Sequence, residues 1–239
     1  TGLDATLVLP FTREFSLTTA RIFVEETLRH RLRAREIHEG ENFHFGHKAE
    51  GNAQRLAELA KEMGFLVRIY PEFKLRGEVV SSSRLRELLH SGHVSRARAL
   101  LGSAFAICGA PAPGRGYGSK YTVPTINLAP YDELIPAHGV YITRTRIRQE
   151  GFDSVTNIGH RPTFGIESFA VETHLLDFHP MELTEETPVE VYFLQRLRHE
   201  IKFPSVEALR AQIGRDVQRA RRYFRLASLL ANAAAGIAG

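Results

Sequence analysis

One cysteine and two methionines occur among the 239 residues. The lone Cys108 has no partner for an internal disulfide, so the fold is expected to hold without covalent staples, as in a reducing cytoplasm. No apolar run approaches the ~20 residues needed to span a bilayer. The first apolar stretch, Ala5–Phe11, is short and gives way to Thr12, Arg13 and Glu14, which is not the pattern of a secretory signal. The chain begins at Thr1 with no methionine and enters this stretch almost at once, as a sequence joined part-way through would. Aromatic residues interleaved with basic ones, the usual mark of RNA binding, are also missing.

What is present describes a globular chain. Hydrophobic residues make up 43% and charged residues 24%, ordinary values for a packed domain, and the length suits two domains. A net charge of +4 and a pI near 9.4 admit an anionic partner, whether nucleic acid or nucleotide. The basic residues are densest at Arg29–Arg35 and Arg215–Arg225, within helical patterns that also carry acids or apolar residues. They read as solvated helix faces, so neither nucleic acid nor a membrane is expected as a partner.

The first hundred residues alternate strand-like and helix-like segments. Ala5–Phe11, Ala34–Gly40 and Phe65–Tyr70 have strand character. Thr18–Arg31, Gln54–Met63, Ser81–Leu89 and Val94–Leu101 have helical spacing, with Thr18 or Thr19 available as a cap and Gly64 as a stop. Such alternation predicts a parallel, Rossmann-like α/β unit. After Gly102 the pattern changes. Glycine and proline crowd 109–124, and short period-2 stretches follow at Val140–Ile147, Phe152–Ile158, Ala170–Phe178 and Val189–Phe193. Gln149-Glu150-Gly151 marks a hairpin, and regularly spaced short strands predict an antiparallel barrel. A helix over Ser205–Leu230, with Ser205 as cap and Glu207 in its first turn, closes the chain. The domain boundary is expected near 102, giving domains of 1–102 and 103–239.

The most chemical segment is Gly114-Arg-Gly-Tyr-Gly-Ser-Lys-Tyr-Thr-Val-Pro-Thr-Ile-Asn127. Glycines at 114, 116 and 118 leave backbone N–H groups open to an anion. The spacing is not that of a P-loop, because Ser119 stands where a glycine is needed, nor that of a dinucleotide fingerprint. By composition the segment is equally a barrel loop. Thr125 and Asn127, two residues apart, fall on one face of an extended strand and offer hard oxygen donors that suit Mg²⁺ with phosphate oxygens and water completing its shell. Along Val171–Phe178, alternation puts Glu172, His174 and Leu176 on one face and Val171, Thr173 and Leu175 on the other. Glu172 is then either a partly buried base or an exterior partner of a lysine or arginine.

The glycine loop is followed in order by Pro124-Thr-Ile-Asn127, Gly139-Val-Tyr141, Asn157-Ile-Gly-His-Arg-Pro-Thr-Phe164, Val171-Glu-Thr-His-Leu-Leu-Asp-Phe178 and Phe193-Leu-Gln-Arg-Leu-Arg-His-Glu200. This ordered set, over roughly residues 103 to 224, resembles the riboflavin kinase module of the prokaryotic bifunctional riboflavin kinase/FMN adenylyltransferases. The resemblance implies transfer of the ATP γ-phosphate to the riboflavin 5′-hydroxyl. It implies Glu172 as catalytic base, Thr125 and Asn127 as Mg²⁺ and nucleotide-phosphate ligands, and Gly114, Gly116, Gly118 and Lys120 as part of the ATP site. Two positions depart from the family pattern. Tyr121-Thr-Val123 replaces Leu-Gly-Phe or Leu-Gly-Ile before Pro-Thr, and Tyr117 stands where arginine is frequent.

Residues 1–102 resemble the later part of the same family's adenylyltransferase module. The matching pieces are Leu7-Val-Leu-Pro-Phe-Thr-Arg-Glu-Phe15, Gly40-Glu-Asn-Phe-His-Phe-Gly46 with Gly51-Asn52, and Val80-Ser-Ser-Ser-Arg-Leu-Arg86. The resemblance implies a residual nucleotide and flavin site at Asn42, Ser82, Ser83 and Arg86. Serine hydroxyls, free N–H groups and Arg86 at a helix start would converge on an anion, although plain N-capping also accounts for the serines. His44-Phe-Gly-His47 spells the His-x-Gly-His of nucleotidyltransferases but falls too close to Ser81 to be that motif. The true one is expected before Thr1, which leaves the adenylyltransferase incomplete. As a metal site the two histidines lack further ligands.

The expected molecule is thus α/β plus β: a partial Rossmann-like domain, then a riboflavin-kinase barrel with a C-terminal helix. Its substrates would be riboflavin and ATP with Mg²⁺, its product FMN and its location cytoplasmic. One alternative is a flavin-binding or regulatory module with an impaired flap. The other is a basic nucleic-acid-binding protein.

Overall fold

The computed structural model describes residues 2–112, 125–129, 133–163, 166–179, 181, 183 and 184–237, with side chains of 160–169 and 234–237 outside the description. The glycine loop, including Gly114, Gly116, Gly118 and Lys120, therefore lies outside the described residues. Backbone contacts divide the chain into Thr1–Val79 and Val80–Gly239.

The first unit is built on a parallel pair, β1 (Glu36–Gly40) and β2 (Leu66–Tyr70), in the register Glu36↔Leu66 to Gly40↔Tyr70. Helix α1 (Ala53–Met63) connects them. The Asn52 side chain caps it by accepting from the Arg55 N–H at 2.8 Å, and Gly64 ends it at φ 82°. That positive φ is one glycine tolerates without strain. A helical turn at Ala20–Ile22, capped by Thr19, runs into wider turns over Phe23–Arg31. Val24, Phe45, Leu56, Leu59, Ala60 and Phe65 form the core between these pieces. The strand expected at Ala5–Phe11 does not form. Among the described residues no strand pairs with it, and Leu7, Val8 and Phe11 are exposed. Strand propensity without a ladder partner does not make a strand.

The second unit opens with α2 (Ser82–His90) and α3 (Val94–Leu101); α2 packs on α3, and α3 packs beside the sheet that follows. That sheet has six antiparallel strands: β3 (Phe105–Gly109), β4 (Thr125–Asn127), β5 (Gly139–Ile147), β6 (Glu150–Thr163), β7 (Ile166–Leu175) and β8 (Val189–Arg198). Their spatial order is β3-β8-β5-β6-β7-β4. The two edge strands meet where they emerge. Pro111 bridges Leu128, the Ala112 N–H donates to the Asn127 carbonyl at 2.7 Å, and the Ala129 N–H donates to the Ala110 carbonyl at 2.9 Å. Joining the edges curls the sheet into a barrel and leaves those backbone groups paired.

The expected hairpin between β5 and β6 turns at Arg148-Gln149, because Glu150 pairs with Ile147. Arg148 takes the positive φ of 55° there, and Gly151 sits in the strand.

Inside the barrel lie Ile107, Tyr141, Val191, Phe193 and Leu175, with a chain of buried hydroxyls among them. Thr145, Ser154, Thr143, Thr156 and Thr173 are linked in that order at 2.8, 2.8, 2.7 and 2.9 Å. Every member is fully buried and has a partner, which removes the penalty of burying an unpaired hydroxyl.

On the outer face, α4 (Val206–Ile237) packs Ala220 and Phe224 against Val140, Ile142, Val155, Leu176 and Leu197. Arg198 on β8 donates through Nε to Asp216 on α4 at 2.9 Å. No described helix is long and apolar enough to cross a membrane.

Candidate functional site

Strand alternation and register together assemble the candidate site. Along β4, Ile126 points into the barrel, which turns Thr125 and Asn127 outward. Along β7, Val171, Thr173 and Leu175 are buried inside, which turns Glu172 and His174 outward. The β4–β7 register sets Asn127 against Glu172 and Thr125 against His174. The β6–β7 register sets Asn157 against the other side of Glu172 and Val155 against His174. Two cross-strand rows result: Asn127–Glu172–Asn157 and Thr125–His174–Val155. Directly opposed residues have Cβ atoms about 5 Å apart, close enough for one ligand to touch neighbours in both rows.

The position of these rows matters. They adjoin the apolar patch that α4 covers, since Val155 and Val140 belong to that patch. Glu172, Asn157, His174 and Asn127 are half-buried, and Thr125 is exposed. Glu172 makes no ion pair with any described lysine or arginine. A half-buried carboxylate on a rigid strand is a candidate for taking a proton from a bound hydroxyl. Burial pushes the His174 imidazole below its ordinary value of 6.5 and favours the neutral ring.

Sequence reasoning gave no role to Asn157 or Glu200. Both stand in the quoted segments, but only the register puts Asn157 beside Glu172. Gly159 is on the same face as Asn157, and a Cβ built there would lie 2.5 Å from Glu200 Oε1 and 3.3 Å from Asn157 Nδ2. The two side chains therefore converge on the space that glycine leaves open. Glu200 itself is exposed, and two residues before it Arg198 bonds Asp216 and the His199 carbonyl.

Thr125 and Asn127 fit a magnesium ion only as a partial shell. No described group of three His, Cys, Asp or Glu side chains could hold a metal by itself. A hydroxyl and an amide oxygen beside one carboxylate hold Mg²⁺ when phosphate oxygens and water supply the remaining positions, which is the usual arrangement at nucleotide sites.

The other sequence-predicted residues divide between the two units. Asn42 is exposed in the turn after β1, and its carbonyl meets His44 Nδ1 at 2.9 Å. His47 Nδ1 meets the Ser16 carbonyl at 3.0 Å, so both histidines are tied to backbone carbonyls. In the second unit Ser81 caps α2, accepting from the Arg84 N–H at 3.2 Å. Capping thus occupies Ser81 alone. Ser82, Ser83 and Arg86 are exposed on the first turns of α2.

Comparison with known proteins identifies the family of the chain. A riboflavin kinase family model matches residues 101–224 and an FAD synthetase model matches residues 1–84. The bifunctional riboflavin kinase/FMN adenylyltransferase of Haemophilus influenzae is 34% identical over 223 residues, covering 93% of this chain and 72% of that protein. The chain belongs to the bifunctional riboflavin kinase/FMN adenylyltransferase family. The Escherichia coli K12 member is 33% identical over 226 residues, 94% of this chain and 72% of its own length. The Listeria monocytogenes member is 32% identical over 225 residues, 93% and 70%. A solved structure described as a macrolide-efflux protein from Streptococcus pneumoniae superposes with a TM-score of 0.77 at 29% identity, over 88% of this chain and 67% of that one. The barrel with its C-terminal helix is thus the riboflavin kinase domain of the family, and the first unit carries the FAD synthetase match.

Proposed function

We propose that this chain phosphorylates riboflavin to FMN with ATP, using Glu172 as base and Thr125 and Asn127 as the phosphate-side ligands. The observation that carries the reading is the cross-strand row in which Glu172 stands between Asn127 and Asn157. The reacting hydroxyl gives its proton to a Glu172 oxygen as its own oxygen bonds the γ-phosphorus. The bond from that phosphorus to the β,γ-bridging oxygen breaks, and ADP leaves. Magnesium, when bound, neutralises charge on the phosphate oxygens. Thr125 and Asn127 orient the phosphates, and the rigid strands hold donor and acceptor in one geometry, which is most of what phosphoryl transfer asks of a protein.

Gly114, Gly116, Gly118 and Lys120 are assigned to the ATP site by their match to the family. Asn42 in the first unit, and Ser82, Ser83 and Arg86 in the second, are each assigned a residual adenylyltransferase role on the same basis. A reducing cytoplasm, where both substrates are available, suits the single cysteine.

The test is incubation with riboflavin, ATP and Mg²⁺, with chromatography for FMN and then for FAD. FMN formation that weakens in Thr125→Ala and Asn127→Ala, with a higher magnesium requirement, is the expected result. Flavin binding without FMN would overturn the kinase reading, and an unchanged magnesium requirement in both variants would overturn the ligand assignment. FAD formation would indicate that the first unit retains adenylyl transfer.

A further inference from the structure

The row around Glu172 is not symmetrical in charge. On the β4 side stand Thr125 and Asn127, a hydroxyl and an amide with no carboxylate between them. On the β6 side stands Asn157, and beside it the carboxylate of Glu200 reaches over Gly159. Among the described side chains, two carboxylates, Glu172 and Glu200, thus border the β6 side. Like charge makes that side unfavourable for phosphate and favourable for neutral hydroxyls, which donate to carboxylates. Arg198, two residues before Glu200, is committed to Asp216 and to the His199 carbonyl.

The side chains of Asn157 and Glu200 make no hydrogen bond or ion pair with another described residue, although the Asn157 backbone is held in the ladder. Asn157 is half-buried all the same, and Gly159 is the residue that lets Glu200 come so close. An amide that both donates and accepts, next to a carboxylate that only accepts, matches a chain bearing several vicinal hydroxyls.

We propose that Asn157 and Glu200 form a polyol clamp that grips the ribityl hydroxyls of the acceptor other than the one that reacts, and so selects a hydroxylated side chain. The inference rests on the kinase reading for the identity of the acceptor. Phosphate donor and polyol acceptor then reach Glu172 from different flanks, which leaves room for the attacking oxygen to face the γ-phosphorus opposite the leaving oxygen.

The 239-residue chain is titrated with riboflavin and with a flavin bearing a 5-hydroxypentyl group, which keeps the terminal hydroxyl and lacks the other three. Quenching of flavin fluorescence reads the affinity. Wild type is expected to prefer riboflavin by about tenfold or more, because polar groups built for hydroxyls are left unpaired by the analogue. Asn157→Ala, Glu200→Gln and Gly159→Ala should each reduce that preference, mainly by weakening riboflavin.

Gly159→Ala is the sharpest of the three. It displaces the flexible end of Glu200 without altering any charge, and the thermal midpoint should stay near that of wild type. Equal affinity of wild type for the two flavins would overturn the clamp, and so would a preference unchanged in all three variants. FMN formation is followed in parallel. Preference without turnover overturns the kinase reading and keeps the clamp, whereas turnover without preference overturns the clamp alone. No binding of either flavin overturns both.

Discussion

Glu172 stands directly across the antiparallel ladder from Asn127, so the proposed base and a proposed phosphate-side ligand occupy adjacent strands of one rigid sheet. Their separation is set by the strand spacing of about 4.8 Å rather than by a loop. Substituting either should leave the other in position, which makes their contributions separable.

Glu172→Gln keeps the shape of the side chain and removes its capacity to take a proton. Turnover should fall by roughly 10²- to 10⁴-fold, the usual contribution of a positioned general base. Riboflavin affinity, read by fluorescence quenching, should change little, because the amide still accepts a hydrogen bond. Steady-state kinetics beside equilibrium titration make the check. Turnover within a few-fold of wild type would remove Glu172 from the role of base.

Thr156→Val tests the barrel interior. Thr156 lies between Thr143 at 2.7 Å and Thr173 at 2.9 Å, and valine nearly matches its volume. The variant therefore makes no large cavity but leaves two buried hydroxyls each short of a partner. Stability should fall by about 2 kcal/mol. Urea unfolding with an unchanged slope would report this, and a midpoint equal to that of wild type would mean the chain contributes nothing net.

Asp216→Ala tests the attachment of α4. Asp216 is 2% exposed and receives Arg198 Nε and Gln212 Nε2, each at 2.9 Å. Removing the acid strands a guanidinium whose side chain is 16% exposed. The expected cost is about 3 kcal/mol, or a thermal midpoint lower by roughly 6–12 °C for a unit of this size. Differential scanning calorimetry measures it. By contrast Asp177→Ala, which breaks an exposed pair with Arg221, should shift the midpoint far less.

The parts of this architecture that were legible from the residues are those encoded locally. Period-2 spacing put Glu172 and His174 on one face, and the buried Thr173 and Leu175 on the other face agree with it. Gly64 ended α1 as its spacing implied, whereas the Asn52 cap was not read, and the change in composition after Gly102 announced the barrel strands. Register was not legible. That Asn157 opposes Glu172 depends on pairing between strands joined through residues 164–165, and that Asn127 does so depends on strands more than 40 residues apart. Ala5–Phe11 failed for the complementary reason, since its propensity was local but a strand requires a partner.

His174 gives the structure a pH dependence whose sign can be stated. Desolvation lowers its folded-state value below the ordinary 6.5, so the unfolded chain takes up the proton first as pH falls. Between 6.5 and that depressed value the unfolded state binds more protons, and stability therefore declines with acidification. Above 6.5 both states hold a neutral ring and the contribution is flat. His174→Gln keeps a polar side chain in the row without a titrating ring. Its thermal midpoint should fall less than that of wild type between pH 7.5 and pH 5.5, with the divergence beginning near the ordinary imidazole value. Parallel curves for the two proteins would show that His174 does not titrate differently on folding, and would place the acid sensitivity elsewhere.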